Sequence, residues 1–344
     1  MKLNTAAPNT LSVVSEAPTL KGKRVLITGA NGGLGIQTTI QALQEGATVT
    51  LACRNDGKAE AARQQAIEAA SVAEDKAIAA GGFDMLDMQA IDEAVDALPP
   101  APLDVVFLQA GGWVWTDDAQ TVSLGGRAIE QTVVKNVVGA HATLVALKAT
   151  GRLAPGCRVV IIGGEGSRGL PGAIDKPEFE DVQDFERYLA GDWAGRGSYK
   201  PINALGVSKL CAALWAQHLA GLVEGEMEVV WFTPGFIAGT NGTAGMPKWK
   251  EFIFQRIAFP IMVAIGKAQW PKAAAAKCID CLAGRVGVHG DLLGAPQGKP
   301  IGPLTDQKPM QHLFTDKNFQ RALWTACEQA AGPFPHTNAT KKSA

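Results

Sequence analysis

The residues best suited to chemistry lie near the start of the chain, in the run Thr28-Gly29-Ala30-Asn31-Gly32-Gly33-Leu34-Gly35. Ahead of it stands a short apolar run, Arg24–Thr28 (RVLIT), of the kind that forms a fully buried parallel strand. Behind it, residues 36–45 have helical composition and stop at Gly46. Glycines at 29, 33 and 35 permit a tight turn and let backbone N–H groups close on an anion at a helix N-terminus. A glycine triplet alone is weak evidence. Between a strand and a helix it reads as a turn that cradles the pyrophosphate of a dinucleotide.

Such a turn needs a framework of alternating elements. Thr48–Ala52 (TVTLA), Leu103–Leu108 (LDVVFL), residues 158–162 (RVVII) and Glu228–Phe232 (EVVWF) read as strands, and residues 82–85 as a strand end. Residues 58–70, 88–97, 129–150 and 204–222 read as the helices between them. This order predicts an α/β fold: a Rossmann-type doubly wound parallel sheet with helices on both faces. The expected organisation is one domain over 21–331, with a flexible arm at 1–20 and a flexible tail at 332–344. Two stretches break the rhythm. Residues 163–203 form a long Gly-, Pro- and Asp-rich insertion, and 241–282 a helical region, rich in Trp and Phe, placed to cover a substrate.

Composition narrows the partners. The 344 residues are 47% hydrophobic and carry a net charge of −1, so a large core is expected and nucleic acid is not. No apolar run is long enough for an integral membrane segment or a signal peptide, which points to a cytoplasmic location. The six cysteines are sparse, and Cys278 and Cys281 lack the second ligand pair that a metal would need; no metal site is expected.

The glycine spacing is T-G-x-x-x-G-x-G, and it resembles that of the short-chain dehydrogenase/reductase family. Other segments fall where this family has its motifs: Phe83-Asp84-Met85, Gln109-Ala110-Gly111-Gly112, Lys135-Asn136-Val137-Val138-Gly139, Gly206-Val207-Ser208-Lys209 and Pro234-Gly235-Phe236-Ile237. Within the family the chain is most similar to the retinol dehydrogenase and light-dependent protochlorophyllide reductase branch. That likeness rests on A-C-R-N after the second strand, A-Q-H-L-A on the Lys209 helix, P-G-F-I-A-G-T, and the insertion before Lys209. The resemblance implies cofactor contacts from Gly29, Asn31, Gly32, Gly33, Leu34 and Gly35 in the turn. It adds Arg54, Asp84 and Met85, then Gln109, Ala110 and Gly111, and finally Lys209, Pro234, Gly235, Ile237 and Thr240.

No acidic residue ends the second strand; Arg54 follows it instead. An acid there would accept from the ribose 2′-hydroxyl, whereas a guanidinium suits a 2′-phosphate, so NADP(H) is the expected cofactor. The resemblance also implies a catalytic tyrosine, serine, lysine and asparagine. Lys209 and Asn136 match. Leu205 stands where the tyrosine belongs, Gly163-Gly164 where the serine pair belongs, and Gln109 replaces an asparagine. A positioned general acid is worth about 10²–10⁴-fold, so a substitute is expected. Tyr199, just outside the Lys209 helix, is the first candidate; Ser167 and Glu165 are others. His141 and His218 are expected in the core or on a helix surface.

Trp113, Trp115, Trp249, Phe252, Phe254 and Phe259 suggest a bulky apolar small-molecule substrate, or equally a packing or homo-oligomer surface. Three readings follow. One is a reductase of an activated alkene, iminium or hindered carbonyl with a non-standard proton source. The others are a redox-neutral cyclase, isomerase or lyase, and a non-catalytic NADP(H)-binding protein.

Overall fold

A computed structural model describes residues 17–239 and 248–335. Its order begins β1 (Arg24–Thr28), α1 (Gly33–Gln44), β2 (Thr48–Ala52), α2 (Asp56–Ala70), β3 (Ala77–Ala80), α3 (Met88–Asp96) and β4 (Leu103–Leu108). A hairpin follows, β5 (Thr121–Leu124) and β6 (Arg127–Glu130). It feeds a helix in three parts: α4 (Gln131–Val133), a π-turn (Val134–Val138) and α5 (Gly139–Ala149). Then come β7 (Leu153–Ile162), a 3₁₀ turn (Glu165–Arg168), α6 (Val182–Leu189), α7 (Pro201–Leu222) and β8 (Glu228–Phe232). The rest is α8 (Lys248–Ile253), a second π-turn (Phe254–Ala258), α9 (Phe259–Ala264), α10 (Pro271–Leu282), β9 (Leu292–Gly294), β10 (Thr305–Asp306) and α11 (Lys317–Ala331).

Eight strands form one sheet in the order β10-β9-β8-β7-β4-β1-β2-β3, parallel except for β10 against β9. The order reverses direction between β1 and β4, the switch point where open α/β sheets bind ligands at strand carboxyl ends. Both faces are covered, as the Rossmann-type expectation requires. One core cluster packs α3, α5, α7 and α11 on one face; the other packs α1, α2 and α10 on the opposite face. Strands β1, β2 and β4 are almost wholly buried, which is why they read as continuous apolar runs.

Several expected boundaries are corrected. Residues 82–85 are not a strand end. The strand is Ala77–Ala80, and Gly82, at φ +83°, turns the chain out of the sheet. Residues 129 and 130 belong to the β5–β6 hairpin rather than to the following helix. The flanking arms are shorter than expected: Leu20 and Phe334 are both buried in the core. Thr240 and the rest of 240–247 lie outside the described residues, as do 1–16 and 336–344.

Candidate active site

The glycine turn closes the carboxyl end of β1. Gly29 sits at φ +68°, which favours a residue with no β-carbon. A β-carbon on Gly35 would come within 2.3 Å of the Gly29 carbonyl oxygen, so helix α1 starts directly on the turn. Thr28 clamps turn and sheet together: its hydroxyl accepts from the backbone N–H of Gln109 and of Ala110, both at 2.9 Å. Gly32 caps α1 without any side-chain hydrogen bond, and the first turn carries no acid. The helix therefore keeps its N-terminal N–H groups and its positive dipole end free for an anion.

A cavity of about 680 Å³ runs from this turn across the switch point. Its walls bring together Gly29, Asn31, Gly32, Gly33 and Leu34 with Arg54, Asp84 and Met85. Gln109, Ala110, Gly111, Lys209, Gly235 and Ile237 line it further on. Gly35 and Pro234 shape the wall from behind, Gly35 by its contact with Gly29 and Pro234 through its carbonyl, which accepts from Lys277 at 3.2 Å.

One end of the cavity is cationic. Arg54, more than half exposed, faces Asp84 at 3.6 Å, and Lys58 lines the same wall. Lys135 joins them, its Nζ donating to the Trp113 carbonyl at 3.2 Å. Burial and the nearby Arg54 charge both hold its pKa down. Lys135 was not anticipated. Its only sequence signal is its place beside Asn136 on a segment that must face the turn.

The Asn136 side chain is tied to backbone groups. Its amide donates to Gly112 O and Thr132 O, both at 2.8 Å, and its Oδ1 accepts from Gly112 N at 3.0 Å. The side chain is consumed in pinning the 111–112 loop to the π-turn, where the helix is locally widened.

On α7, Leu205 and Lys209 are one turn apart and both line the cavity. Lys209 has no hydrogen-bond or ion-pair partner among the described residues, and desolvation alone lowers its pKa to about 8. A half-buried ammonium without a partner is costly, and a ligand oxygen in the cavity would satisfy it. The two glycines at the end of β7 differ in how tightly they are packed. A β-carbon on Gly163 would enter the Trp231 ring at 2.2 Å, and one on Gly164 would crowd the Lys209 stem.

Tyr199 does not line the cavity. Its hydroxyl donates to Glu130 at 3.4 Å, its ring packs against Trp193, and burial beside Glu130 pushes its pKa up to about 12. Ser167 is buried outside the cavity wall. Glu165 does line it. This carboxyl is buried, accepts from the Thr233 hydroxyl at 2.5 Å and from Ala295 N at 3.4 Å, and has its pKa raised by desolvation. Both histidines are structural: His141 joins Trp215 to Gly332, and His218 stacks on Trp324.

Beyond Lys209 the wall is apolar, with Leu170, Ile174, Ile202, Leu205, Phe254 and Phe259. Trp113 closes one side, packed on Trp115 at 4.6 Å between ring centroids.

An uncapped glycine cradle at the switch point, a cationic rim and a partnerless lysine define a dinucleotide-binding α/β protein. A profile for short chain dehydrogenase matches residues 23–168. The short-chain dehydrogenase fogG of Aspergillus ruber is 33% identical over 297 residues, 83% of this chain and 80% of that protein. The chain belongs to the short-chain dehydrogenase/reductase family. The match spans only 58% of the length of a probable oxidoreductase of Streptomyces lividans, 28% identical over 186 residues and covering 54% of this chain. Among solved structures, an uncharacterised protein from Mycobacterium paratuberculosis superposes with TM-score 0.64 at 20% identity, covering 95% of this chain and all of that one. L-sorbose reductase from Gluconobacter frateurii, complexed with NADPH and L-sorbose, does so with TM-score 0.56 at 16% identity, covering 83% of this chain and 100% of that one. These two likenesses are of fold.

Proposed function

We propose that the protein is an NADP(H)-dependent oxidoreductase of a bulky apolar small molecule, with its proton held by Glu165 rather than by a tyrosine. The observation that carries this reading is the partnerless Lys209 ammonium, set between a glycine cradle and an apolar wall. The residues present fit a dinucleotide. The uncapped α1 N-terminus would hold its pyrophosphate, Arg54 and Lys135 a ribose 2′-phosphate, and Lys209 the ribose beside the nicotinamide. When bound, the nicotinamide supplies or accepts a hydride.

The chain's own residues do the rest. Leu205 occupies the position one turn before Lys209 and offers no proton there. Leu170, Ile174 and Ile202 exclude water from the same space, which suits a substrate with an apolar body whose acceptor is an activated alkene or an iminium. The resemblance to the retinol dehydrogenase branch points to the same substrate class. Glu165 holds a proton more firmly than an exposed carboxylate would, and Thr233 fixes the orientation of its Oε2. We therefore give the general-acid role to Glu165, which lines the same cavity as the apolar wall. The test is turnover of NADPH with a panel of apolar enones, iminium ions and ketones, comparing the natural chain with Glu165→Gln. Oxidation of NADPH with an enone, lost in the variant, supports the reading, as does reduction of an iminium, which takes up hydride without a proton, retained in it; conversion without change in nicotinamide absorbance contradicts it.

A further inference from the structure

Between Trp249 and Trp270 the surface is unlike the rest of the molecule. Among the described residues ten large apolar side chains are exposed, and eight of them lie in this segment. Apolar residues exposed singly need no explanation, but a cluster of this kind does. The local structure presents them together. Trp249, Ile253, Ile257, Ile261 and Ile265 follow at four-residue steps along α8, the second π-turn and α9. In an α-helix each such step overshoots a turn by about 40°, and the wider π-turn takes part of that drift back. All five side chains are at least 42% exposed. The opposite side holds Phe259, which is buried against Phe236.

The surrounding charge is equally one-sided. Residues 248–272 carry five basic side chains and one acidic, in a chain whose net charge is −1. Lys248, Arg256, Lys267 and Lys272 are all exposed.

We propose that this face docks on a lipid bilayer bearing anionic headgroups, lying in the interface without crossing it. No helix among the described residues is long and apolar enough to span a membrane. An amphipathic segment with tryptophan and isoleucine on one side and cations around it is the kind that settles at the headgroup–acyl boundary. There the cations meet lipid phosphates. A second copy of the chain is a poorer occupant. A two-fold contact is self-complementary, so this face would meet itself and set its cationic surround against an identical one. Docking also places the cavity mouth at the lipid: Phe254 is 39% exposed and at the same time lines the cavity. An apolar molecule could then pass from bilayer to cavity without entering bulk water. The proposal stands on the surface and not on the chemistry proposed above, so either can fail without the other.

The experiment is co-sedimentation of the full chain with vesicles of phosphatidylcholine, alone or mixed with phosphatidylserine, at low and physiological salt. The natural chain should pellet with the mixed vesicles, less with phosphatidylcholine alone, and less as salt rises. Ile257→Glu with Ile261→Glu should reduce binding by at least about tenfold. Val288→Glu, at a side chain 68% exposed elsewhere, should bind like the natural chain. Circular dichroism melting checks that each variant is folded, and Ile265→Glu at the helix end serves if the double variant is not. No pelleting of the natural chain with mixed vesicles overturns the proposal, as does undiminished binding of a folded variant. A dimer that the double variant dissolves, with no vesicle binding, assigns the face to a second copy and overturns it too.

Discussion

The stem of Lys209 lies against the bare backbone of Gly164, with 3.1 Å between the lysine Cγ and the point where a β-carbon would stand. A side chain at Gly164 would need the flexible stem to give a little, whereas one at Gly163 would meet the buried Trp231 ring at 2.2 Å. The lysine stem has taken part of the space a serine would use, and Trp231 has filled the space beside Gly163. Gly163 is thus held to a glycine by the indole of Trp231.

Gly163→Ser should destabilise the fold by about 1–3 kcal/mol, because the side chain must displace a buried indole. Chemical denaturation checks this, and Trp231→Phe in the same chain should recover part of the loss.

Leu205→Tyr sets a phenol one turn before Lys209, inside the cavity. A modest rise in ketone reduction is expected, of at least about tenfold where full general-acid catalysis is worth about 10²–10⁴-fold. Steady-state kinetics with simple ketones reads it. Tyr199→Phe should leave turnover within about twofold of normal, since that hydroxyl faces Glu130; only changes that reach the reacting groups alter the barrier.

Lys209 gives the pH dependence a definite sign. Its pKa is lowered to about 8 in the folded chain, from an ordinary value near 10.5. Between those values the unfolded chain binds the extra proton, so the cost of the half-buried charge is present below about pH 8 and removed as pH rises through the window. Lys209→Met should remove that cost in the cofactor-free protein, with Tm rising by roughly 2–4 °C per kcal/mol regained. Thermal melts from pH 7 to 10 should show the natural chain converging on the variant.

Arg54→Ala should weaken NADPH binding by about 10–100-fold, the equivalent of one charge-assisted contact of roughly 1.5–3 kcal/mol, and leave NADH within about twofold. Titration with both coenzymes checks this. Equal losses for the two would place Arg54 away from the 2′-position.

Much of this was legible in the sequence because its cause is local. Arg24–Thr28 and Leu103–Leu108 are buried on both faces and so read as unbroken apolar runs, and the residues of the turn from Thr28 to Gly35 carry their own conformational reasons. The hairpin at Thr121–Leu124 and Arg127–Glu130 escaped because it is short and half exposed. The last two strands, Leu292–Gly294 and Thr305–Asp306, are two or three residues long, too short for any periodicity. Glu165 was only one candidate among several, since its partner Thr233 is 68 positions away and nothing local announces the pairing. Asn136 was legible as a member of its motif, but its three backbone bonds to Gly112 and Thr132 depend on a π-turn that composition does not reveal.

Coenzyme binding through Lys209 comes before any chemistry in the cavity. Isothermal titration of the natural chain and of Lys209→Met with NADPH at neutral pH tests it most directly. One site per chain, with affinity falling by roughly 10–100-fold in the variant, is the predicted result. No heat from either NADPH or NADH with a folded natural chain, or identical affinity in the variant, would contradict it.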